Sequence, residues 1–240
     1  MPEGWGNSRV FASGRWQMTY GERAALEGLV SSAKPRLAIE IGTAQGGSLD
    51  CIAAHSEEVH SFDLNPPEGE PPANVTVHTG NSRETLPATL GELADAGRTV
   101  DFALVDGDHT AAGVRADLDA IVRSPAVDFA LVVLHDTMNE EVRRGILEVG
   151  LERVPRVTYA NLDLVTGYLA ASGPYEGQLW GGLGVVVVDS GGKPWREGIF
   201  EDEHADPHDL LATGARSPRA LARRARQRLV DRSKSRRAES

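Results

Sequence analysis

The chain has 240 residues, of which 40% are hydrophobic and 25% are charged, a composition that suits one folded α/β domain with a substantial core. Its formal net charge of −10 argues against nucleic acid as the main partner. The single cysteine, Cys51, excludes an internal disulfide, and we expect it to be a packed helix residue. The sequence shows neither an apolar run of membrane-spanning length nor a signal-peptide core, so we expect a cytoplasmic protein without a transmembrane segment.

The charge is unevenly distributed. Residues 215–237 contain ten Lys/Arg and one Asp, a local charge of +9 that leaves −19 on the remainder. Leu221, Ala225 and Leu229 recur at helical spacing among these arginines, which is compatible with a basic amphipathic helix. Such a helix would make weak contact with an anionic membrane or an acidic partner. A disordered solubilising tail explains the same composition equally well.

The first half of the chain alternates between helix and strand patterns. Thr19 and Glu22 form a capping-box pattern ahead of an amphipathic helix, which Pro35 ends. Strand patterns follow at 37–41, 59–63, 75–78, 100–105 and 127–134. Because the strands are mostly apolar on both faces and alternate with helices, they predict a parallel sheet that is covered on both sides.

The pattern changes after a helix predicted at about 139–151. Residues 157–169 and 183–189 are rich in β-forming residues and have no helix between them. Parallel neighbours need a crossover, so we expect an antiparallel pair joined by the loop 171–182. The predicted fold class is therefore α/β, a Rossmann-like doubly wound sheet of mostly parallel strands with a C-terminal antiparallel strand pair.

Polar motifs follow several strands, at the edge of the sheet where such folds bind ligands. The turn from Glu40 to Ser48 (EIGTAQGGS) places glycines where backbone must approach a ligand, in front of a helix N-terminus. Asp63 ends the second strand, the usual position of an acid that binds a ribose hydroxyl pair. NAD enzymes share both features, so these two features alone support a dinucleotide enzyme and a nucleoside-binding transferase equally.

Later motifs distinguish the two. Over about residues 15–190 the sequence resembles the catechol O-methyltransferase-like branch of the class I S-adenosylmethionine (SAM)-dependent methyltransferases. Within it, the sequence is most similar to the bacterial sugar and natural-product O-methyltransferases of the methyltransferase 24 type. The motifs that carry the likeness are, in chain order, Glu40 to Ser48, Gly80-Asn81-Ser82, Asp106-Gly107-Asp108-His109 with Asp117, and His135-Asp136.

The resemblance implies one methyltransferase domain at 19–190, an N-terminal acceptor-side segment at 1–18, and an acidic loop with a basic tail at 191–240. It implies SAM as cofactor, bound by Glu40, Gly42, Thr43, Gly46, Ser48, Asp63, Asn81, Ser82 and Asp106. It also implies a divalent cation, Mg²⁺ or similar, on Asp106, His135 and Asp136.

Two histidines are candidate catalytic residues. His109 matches the position of the family's catalytic base, and histidine titrates near working pH. His135 stands where the family more often has an acidic residue. Because imidazole suits softer metals than Mg²⁺, His135 is a candidate base as well as a candidate ligand.

The sequence therefore predicts a SAM-dependent O-methyltransferase acting on a hydroxyl of a sugar, glycan or glycosylated natural product, and we expect a homodimer. Six further residues either cover the acceptor pocket or are ordinary packing: Trp16, Met18, Tyr20, Tyr168, Tyr175 and Trp180. Four alternatives stay open: an NAD(P)-dependent oxidoreductase, an accessory protein of oxidative tailoring related to antibiotic-precursor hydroxylation, a non-catalytic binding module, and N-methylation at much the same site.

Overall fold

Helices and strands alternate along the computed structural model, which describes residues 15–65 and 69–192. The helices are α1 (Tyr20–Ala33), α2 (Gly47–His55), α3 (Ser82–Asp95), α4 (Ala111–Arg123) and α5 (Glu140–Val149). The strands are β1 (Leu37–Ile41), β2 (Glu58–Asp63), β3 (Val75–Thr79), β4 (Phe102–Val105), β5 (Phe129–His135), β6 (Val157–Val165), β7 (Tyr168–Leu169), β8 (Leu179–Trp180) and β9 (Leu183–Asp189). Most of the predicted N-terminal segment and nearly all of the predicted C-terminal region, including the basic tail 215–237, lie outside the described residues.

Seven strands form one sheet in the order β3-β2-β1-β4-β5-β9-β6. The first five are parallel, whereas β9 runs antiparallel to both β5 and β6. The fold class and the antiparallel pair predicted from the sequence are thus confirmed. The predicted loop 171–182 is only partly a loop, because Leu179–Trp180 pairs with Tyr168–Leu169 in a separate two-stranded ribbon.

Helices cover both faces of the sheet. On one face α3, α4 and α5 pack against a cluster that includes Ile39 and Val132. On the other face Leu26 of α1 and Ile52 of α2 pack against a cluster that includes Ala38. Because neighbouring residues of a strand point to opposite faces, β1 contributes to both clusters and is buried along its whole length.

Helix α1 begins with the predicted capping box. The Thr19 hydroxyl accepts a hydrogen bond from the Glu22 amide, and the Glu22 carboxylate accepts one from the Thr19 amide. Cys51 is fully buried in α2, as expected of a packed helix residue. Within residues 15–65 and 69–192, no helix combines the length and the apolar character needed to cross a bilayer.

Candidate active site

A cavity of about 1070 Å³ opens at the carboxyl ends of β1, β2, β4 and β5. Residues 15–18 and the β7–β8 ribbon form further parts of its wall. Of the nine residues predicted to bind the cofactor, seven line this cavity: Gly42, Thr43, Ser48, Asp63, Asn81, Ser82 and Asp106. The predicted metal and catalytic residues His109, His135 and Asp136 line it as well.

The turn after β1 is wedged between the ends of two neighbouring strands. The Gly42 amide donates to the Phe62 carbonyl over 2.8 Å, and the Asp106 amide donates to the Ile41 carbonyl over 2.8 Å. Gly42 has φ +90°, and a Cβ on it would lie 2.0 Å from the carbonyl oxygen of Asp106. The residue must therefore be glycine for both conformational and steric reasons.

Asp63, at the end of β2, organises the same turn. One of its carboxylate oxygens accepts the amide N–H groups of Thr43 over 2.9 Å and Ala44 over 3.0 Å, and the other accepts the Asn65 amide over 2.9 Å. The carboxylate thus fixes the glycine-rich turn while it also lines the cavity.

Glu40 lies behind the cavity rather than in its wall. It is fully buried, and its carboxyl group accepts hydrogen bonds from the hydroxyls of Ser48 over 2.6 Å and Ser61 over 3.1 Å. Burial raises the pKa of Glu40 to about 8, against the opposing effect of these two hydroxyls. Gly46 is not in the cavity wall either. The Arg15 guanidinium lies over it, with one nitrogen 2.6 Å from where a Cβ on Gly46 would stand.

Asn81 and Ser82 line the cavity where α3 begins. The Asn81 side-chain oxygen caps the helix by accepting the Arg83 amide over 3.1 Å. The Arg83 guanidinium in turn reaches Asp108 over 2.9 Å. Two predicted motifs, one after β3 and one after β4, are therefore joined beside the cavity.

Asp106, His109 and Asp136 converge on one spot of the cavity wall. Each offers a ligand atom, and these atoms lie within 4.8 Å of one another. His109 Nε2 is 3.1 Å from Asp136 Oδ2 and 3.4 Å from Asp106 Oδ1. Asp136 has φ +54°, a conformation that non-glycine residues seldom adopt. The other Asp136 carboxylate oxygen accepts the Gly181 amide over 2.6 Å.

His135 is buried in the cavity wall, next to Asp106 and Glu22. It is 6% exposed, and both ring nitrogens face carboxylates. Its Nδ1 lies 2.9 Å from Asp106 Oδ1, and its Nε2 lies 3.6 Å from Glu22 Oε1, an ion-pair distance beyond hydrogen-bond length. The same Nδ1 lies 3.6 Å from Asp136 Oδ2, so His135 contacts both aspartates from the buried side, while the half-exposed His109 contacts them from the cavity side.

The histidines and acids at this spot shift one another's pKa. Hydrogen bonds to Asp106 and Asp136 raise the pKa of His109 to about 9. Burial alone would lower the pKa of His135, but Asp106, Glu22 and Asp136 raise it well above its ordinary value. Burial alone would raise the pKa of Asp106, but the two imidazoles hold it below its usual range. The surrounding carboxylates therefore favour the protonated form of both imidazoles.

Aromatic side chains stand next to this charged cluster. The Trp180 ring meets His109 edge-on, with ring centroids 5.5 Å apart, and Tyr175 packs on Trp180 at 4.8 Å. Tyr168 and Trp16 also line the cavity. Four of the five aromatic residues singled out from the sequence are therefore part of the wall of one cavity, whereas Tyr20 is exposed at the start of α1 and is not in that wall.

The sequence of residues 39–137 matches the family Methyltransf_24, described as a methyltransferase domain. The matched range runs from β1 through His135 and Asp136, and it includes Asp63, Asp106 and His109. The chain carries a SAM-dependent methyltransferase domain of class I fold. This match does not favour the alternative of an NAD(P)-dependent oxidoreductase.

Solved structures share the fold of this methyltransferase domain at low sequence identity. Cofactor-bound Rv0187 from MTB has a TM-score of 0.53 and 18% identity, covering 73% of this chain and 83% of that one. MycE methyltransferase from the mycinamycin biosynthetic pathway, in complex with Mg, SAH and mycinamycin VI, has a TM-score of 0.52 and 16% identity, covering 78% and 55%. A Klebsiella pneumoniae protein described provisionally as an O-methyltransferase has a TM-score of 0.50 and 17% identity, covering 69% and 78%. No curated protein matches the sequence significantly.

Two residues of this methyltransferase site were missed by sequence reasoning. The sequence pattern predicts only a capping role for Glu22, yet its carboxylate reaches His135 and the Gly182 amide. Arg15 spans the glycine-rich turn, donating to the Gln45 carbonyl over 2.7 Å and to Asp50 over 2.7 Å. The capping-box pattern marks Glu22 in the sequence, but its other contacts come from residues too distant in the chain for a local pattern to reveal.

Proposed function

We propose that the methyltransferase domain transfers the methyl group of SAM to a hydroxyl oxygen of a sugar, glycan or glycosylated natural product. The observation that supports this most directly is the convergence of Asp106, His109 and Asp136 beside the cavity. An alcohol is a weak nucleophile near neutral pH, so its proton must leave as the oxygen attacks. An imidazole between two carboxylates provides the groups that such a proton transfer needs.

The residues around the cavity fit SAM as the methyl donor. SAM supplies a methyl group on a sulfonium, which is open to attack in line with the breaking bond. Gly42, Thr43 and Ser48 would hold its amino acid end, and Asp63 would accept hydrogen bonds from the ribose hydroxyls. Asn81 and Ser82, at the start of α3, would lie by the adenine. The cavity joins these positions without interruption.

The donor set also fits a divalent cation. Carboxylate oxygens are the ligands preferred by Mg²⁺ and Mn²⁺, and Asp106 and Asp136 present two carboxylates to the same spot. A bound cation would supply positive charge that lowers the pKa of an acceptor hydroxyl. His109 is the imidazole on the cavity side of the cluster, whereas His135 is held between Asp106 and Glu22.

His109 is the group that we assign to proton removal. With Asp106 and Asp136 unneutralised, its pKa of about 9 keeps it protonated at neutral pH. When the charge of the two carboxylates is neutralised, His109 loses the partners that raise its pKa. It can then accept the proton of the acceptor hydroxyl at Nε2, the nitrogen that faces both acids.

The aromatic wall supports a ring-shaped acceptor. Trp180 and Tyr175 form a packed pair beside His109, and Tyr168 is 46% exposed at the edge of the cavity. Aromatic faces suit the C–H faces of a sugar ring. MycE, which has a like fold, was crystallised with Mg, SAH and mycinamycin VI, and this supports a metal-assisted reaction on such a natural product.

The proposal is tested by offering the purified protein SAM, Mn²⁺ or Mg²⁺, and a panel of acceptors. The panel contains methyl glycosides, a macrolide glycoside, a catechol and an amino sugar. Products are found by mass spectrometry, and the methylated atom is located by NMR. We expect O-methylation of at least one glycoside. Methylation of the amino sugar at nitrogen alone would overturn the assignment of a hydroxyl acceptor.

A further inference from the structure

One buried carboxylate, that of Glu22, contacts two segments that lie far apart in the sequence. Glu22 is 1% exposed at the start of α1. Its Oε2 accepts a hydrogen bond from the Thr19 amide over 2.5 Å. Its Oε1 accepts one from the amide of Gly182, which lies 160 residues later in the sequence. The carboxylate thus has one oxygen for each segment, with His135 Nε2 3.6 Å away.

The first segment is the chain that enters α1. Thr19 directly follows residues 15–18, which line the cavity. Met18 is 5% exposed, and Arg15 is tied to the Gln45 carbonyl and to Asp50. The hydrogen bond from the Thr19 amide to Glu22 therefore fixes the angle at which residues 15–18 lead into α1.

The second segment is the glycine pair that follows the aromatic ribbon. Gly181 and Gly182 have φ +71° and +91°, and a Cβ on Gly181 would lie 2.7 Å from Glu22 Oε1 and 3.0 Å from the Tyr168 ring. While Gly182 donates to Glu22, Gly181 donates to Asp136 over 2.6 Å. The pair thus joins the end of the ribbon to the strained aspartate of the charged cluster.

We propose that Glu22 is a positioning residue of the acceptor site. One carboxylate oxygen fixes residues 15–18 through the Thr19 amide, and the other fixes the end of the β7–β8 ribbon through the Gly182 amide. Because the neighbouring Gly181 amide donates to Asp136, Glu22 also helps to hold the Asp136 carboxylate in its place beside the cavity. That these two segments bind the acceptor rests on the proposed function. The two hydrogen bonds of Glu22 are observed independently of it.

The isosteric substitution Glu22→Gln keeps the volume of the side chain and removes one of its two acceptor oxygens. It therefore tests the hydrogen bonds separately from packing. An amide has one acceptor oxygen, so it can accept from Thr19 or from Gly182, and its NH₂ group then faces the other N–H. Glu22→Ala removes both acceptors. The matched control is Thr19→Ala, which removes the hydroxyl that caps α1 and leaves the Glu22 carboxylate in place.

The test reads backbone amide exchange by hydrogen–deuterium exchange and mass spectrometry, together with Mn²⁺ binding by electron paramagnetic resonance. In Glu22→Gln and Glu22→Ala we expect amides of the 180–183 segment to exchange about tenfold faster or more, since a buried hydrogen bond is lost. Mn²⁺ affinity should fall about fivefold or more as Asp136 loses its support. In Thr19→Ala both quantities should stay within about twofold of wild type.

Three outcomes would overturn the proposal. They are unchanged exchange of the 180–183 segment in Glu22→Gln, unchanged Mn²⁺ affinity in Glu22→Gln, and equal effects in Thr19→Ala, which would assign the changes to helix stability. If Glu22→Ala does not fold, Glu22→Gln decides. Neither amide exchange nor Mn²⁺ binding requires methyl transfer. A wild-type protein that transfers no methyl group would therefore contradict the proposed function but would not affect this test of Glu22.

Discussion

His109 Nε2 lies 3.1 Å from Asp136 Oδ2, although the two residues follow different strands. Asp106 Oδ1 lies 3.4 Å from the same nitrogen, so one imidazole stands between two carboxylates. A protonated imidazole here satisfies both acids, and a cation would satisfy them in the same way. The stability of the cation-free protein should therefore depend on the charge of His109.

The pH dependence of that stability has a definite sign. The pKa of His109 is raised from 6.5 to about 9 in the folded protein, so its contribution is fully present below pH 6.5 and is lost as pH rises through 9. We expect the Tm of the chelator-treated wild type to fall across this window and that of His109→Gln to fall less. Parallel curves for the two proteins, measured by calorimetry, would contradict the assignment.

Asp63 should control affinity for the cofactor. Asp63→Ala removes the carboxylate that fixes the Thr43 and Ala44 amides and that we propose accepts hydrogen bonds from the ribose hydroxyls. Because hydrogen bonds to a charged group are worth about 1.5–3 kcal/mol, SAH affinity should fall about tenfold or more. Calorimetry with SAH measures the change. The matched control is Asp101→Ala, which removes a similar acceptor of the Arg36 and Leu37 amides at the other end of the sheet, and it should bind SAH normally.

Gly42 should tolerate no side chain. In Gly42→Ala the new Cβ would meet the Asp106 carbonyl at 2.0 Å with φ at +90°, so the turn or the end of β4 must move. We expect a loss of about 2 kcal/mol or more in the free energy of unfolding. Gly28→Ala in α1, where no atom lies within 4 Å of the new Cβ, should instead stabilise the protein by up to about 1 kcal/mol. Equal denaturation midpoints for the two variants would contradict this account.

Much of the fold follows from patterns that are local in the sequence. Apolar strands that alternate with helices predict the parallel sheet, and the absence of a helix between 157–169 and 183–189 predicts the antiparallel pair. The β7–β8 ribbon was missed because each strand has only two residues, too few to show a period. Its Gly173 and Gly177, both with positive φ, resemble an ordinary loop when they are read in sequence.

The site was predictable to the level of strand ends but not of side-chain directions. The motifs placed Asp106, His109, His135 and Asp136 at neighbouring strand ends, and the structure brings them together. Both imidazoles line the cavity, but the side chain of His109 is 41% exposed and that of His135 is 5% exposed, with its Nε2 3.6 Å from the Glu22 carboxylate. No local pattern links Glu22 to His135, because the contact depends on how α1 packs against the end of β5.

His109 should be required for the rate rather than for cofactor binding. General-base catalysis is typically worth about 10²–10⁴ in rate, so His109→Ala should lower kcat by that order with SAH affinity within about threefold of wild type. The wild-type rate should rise with pH as His109 loses its proton. His55→Ala, which changes a histidine bonded to Glu27 away from the cavity, is the matched control. Turnover of His109→Ala within about threefold of wild type would remove His109 as the base.

The most direct test of metal-assisted O-methyl transfer is the transfer of labelled methyl from SAM by wild type and by Asp136→Asn. The asparagine keeps the size of Asp136 and an oxygen for the Gly181 amide but removes a negative charge from the proposed cation site. With an acceptor from the glycoside panel and Mn²⁺ or Mg²⁺ present, we expect wild type to transfer label and excess chelator to abolish transfer. Asp136→Asn should bind SAH normally and transfer no label. Undiminished transfer in excess chelator and in Asp136→Asn would contradict the account.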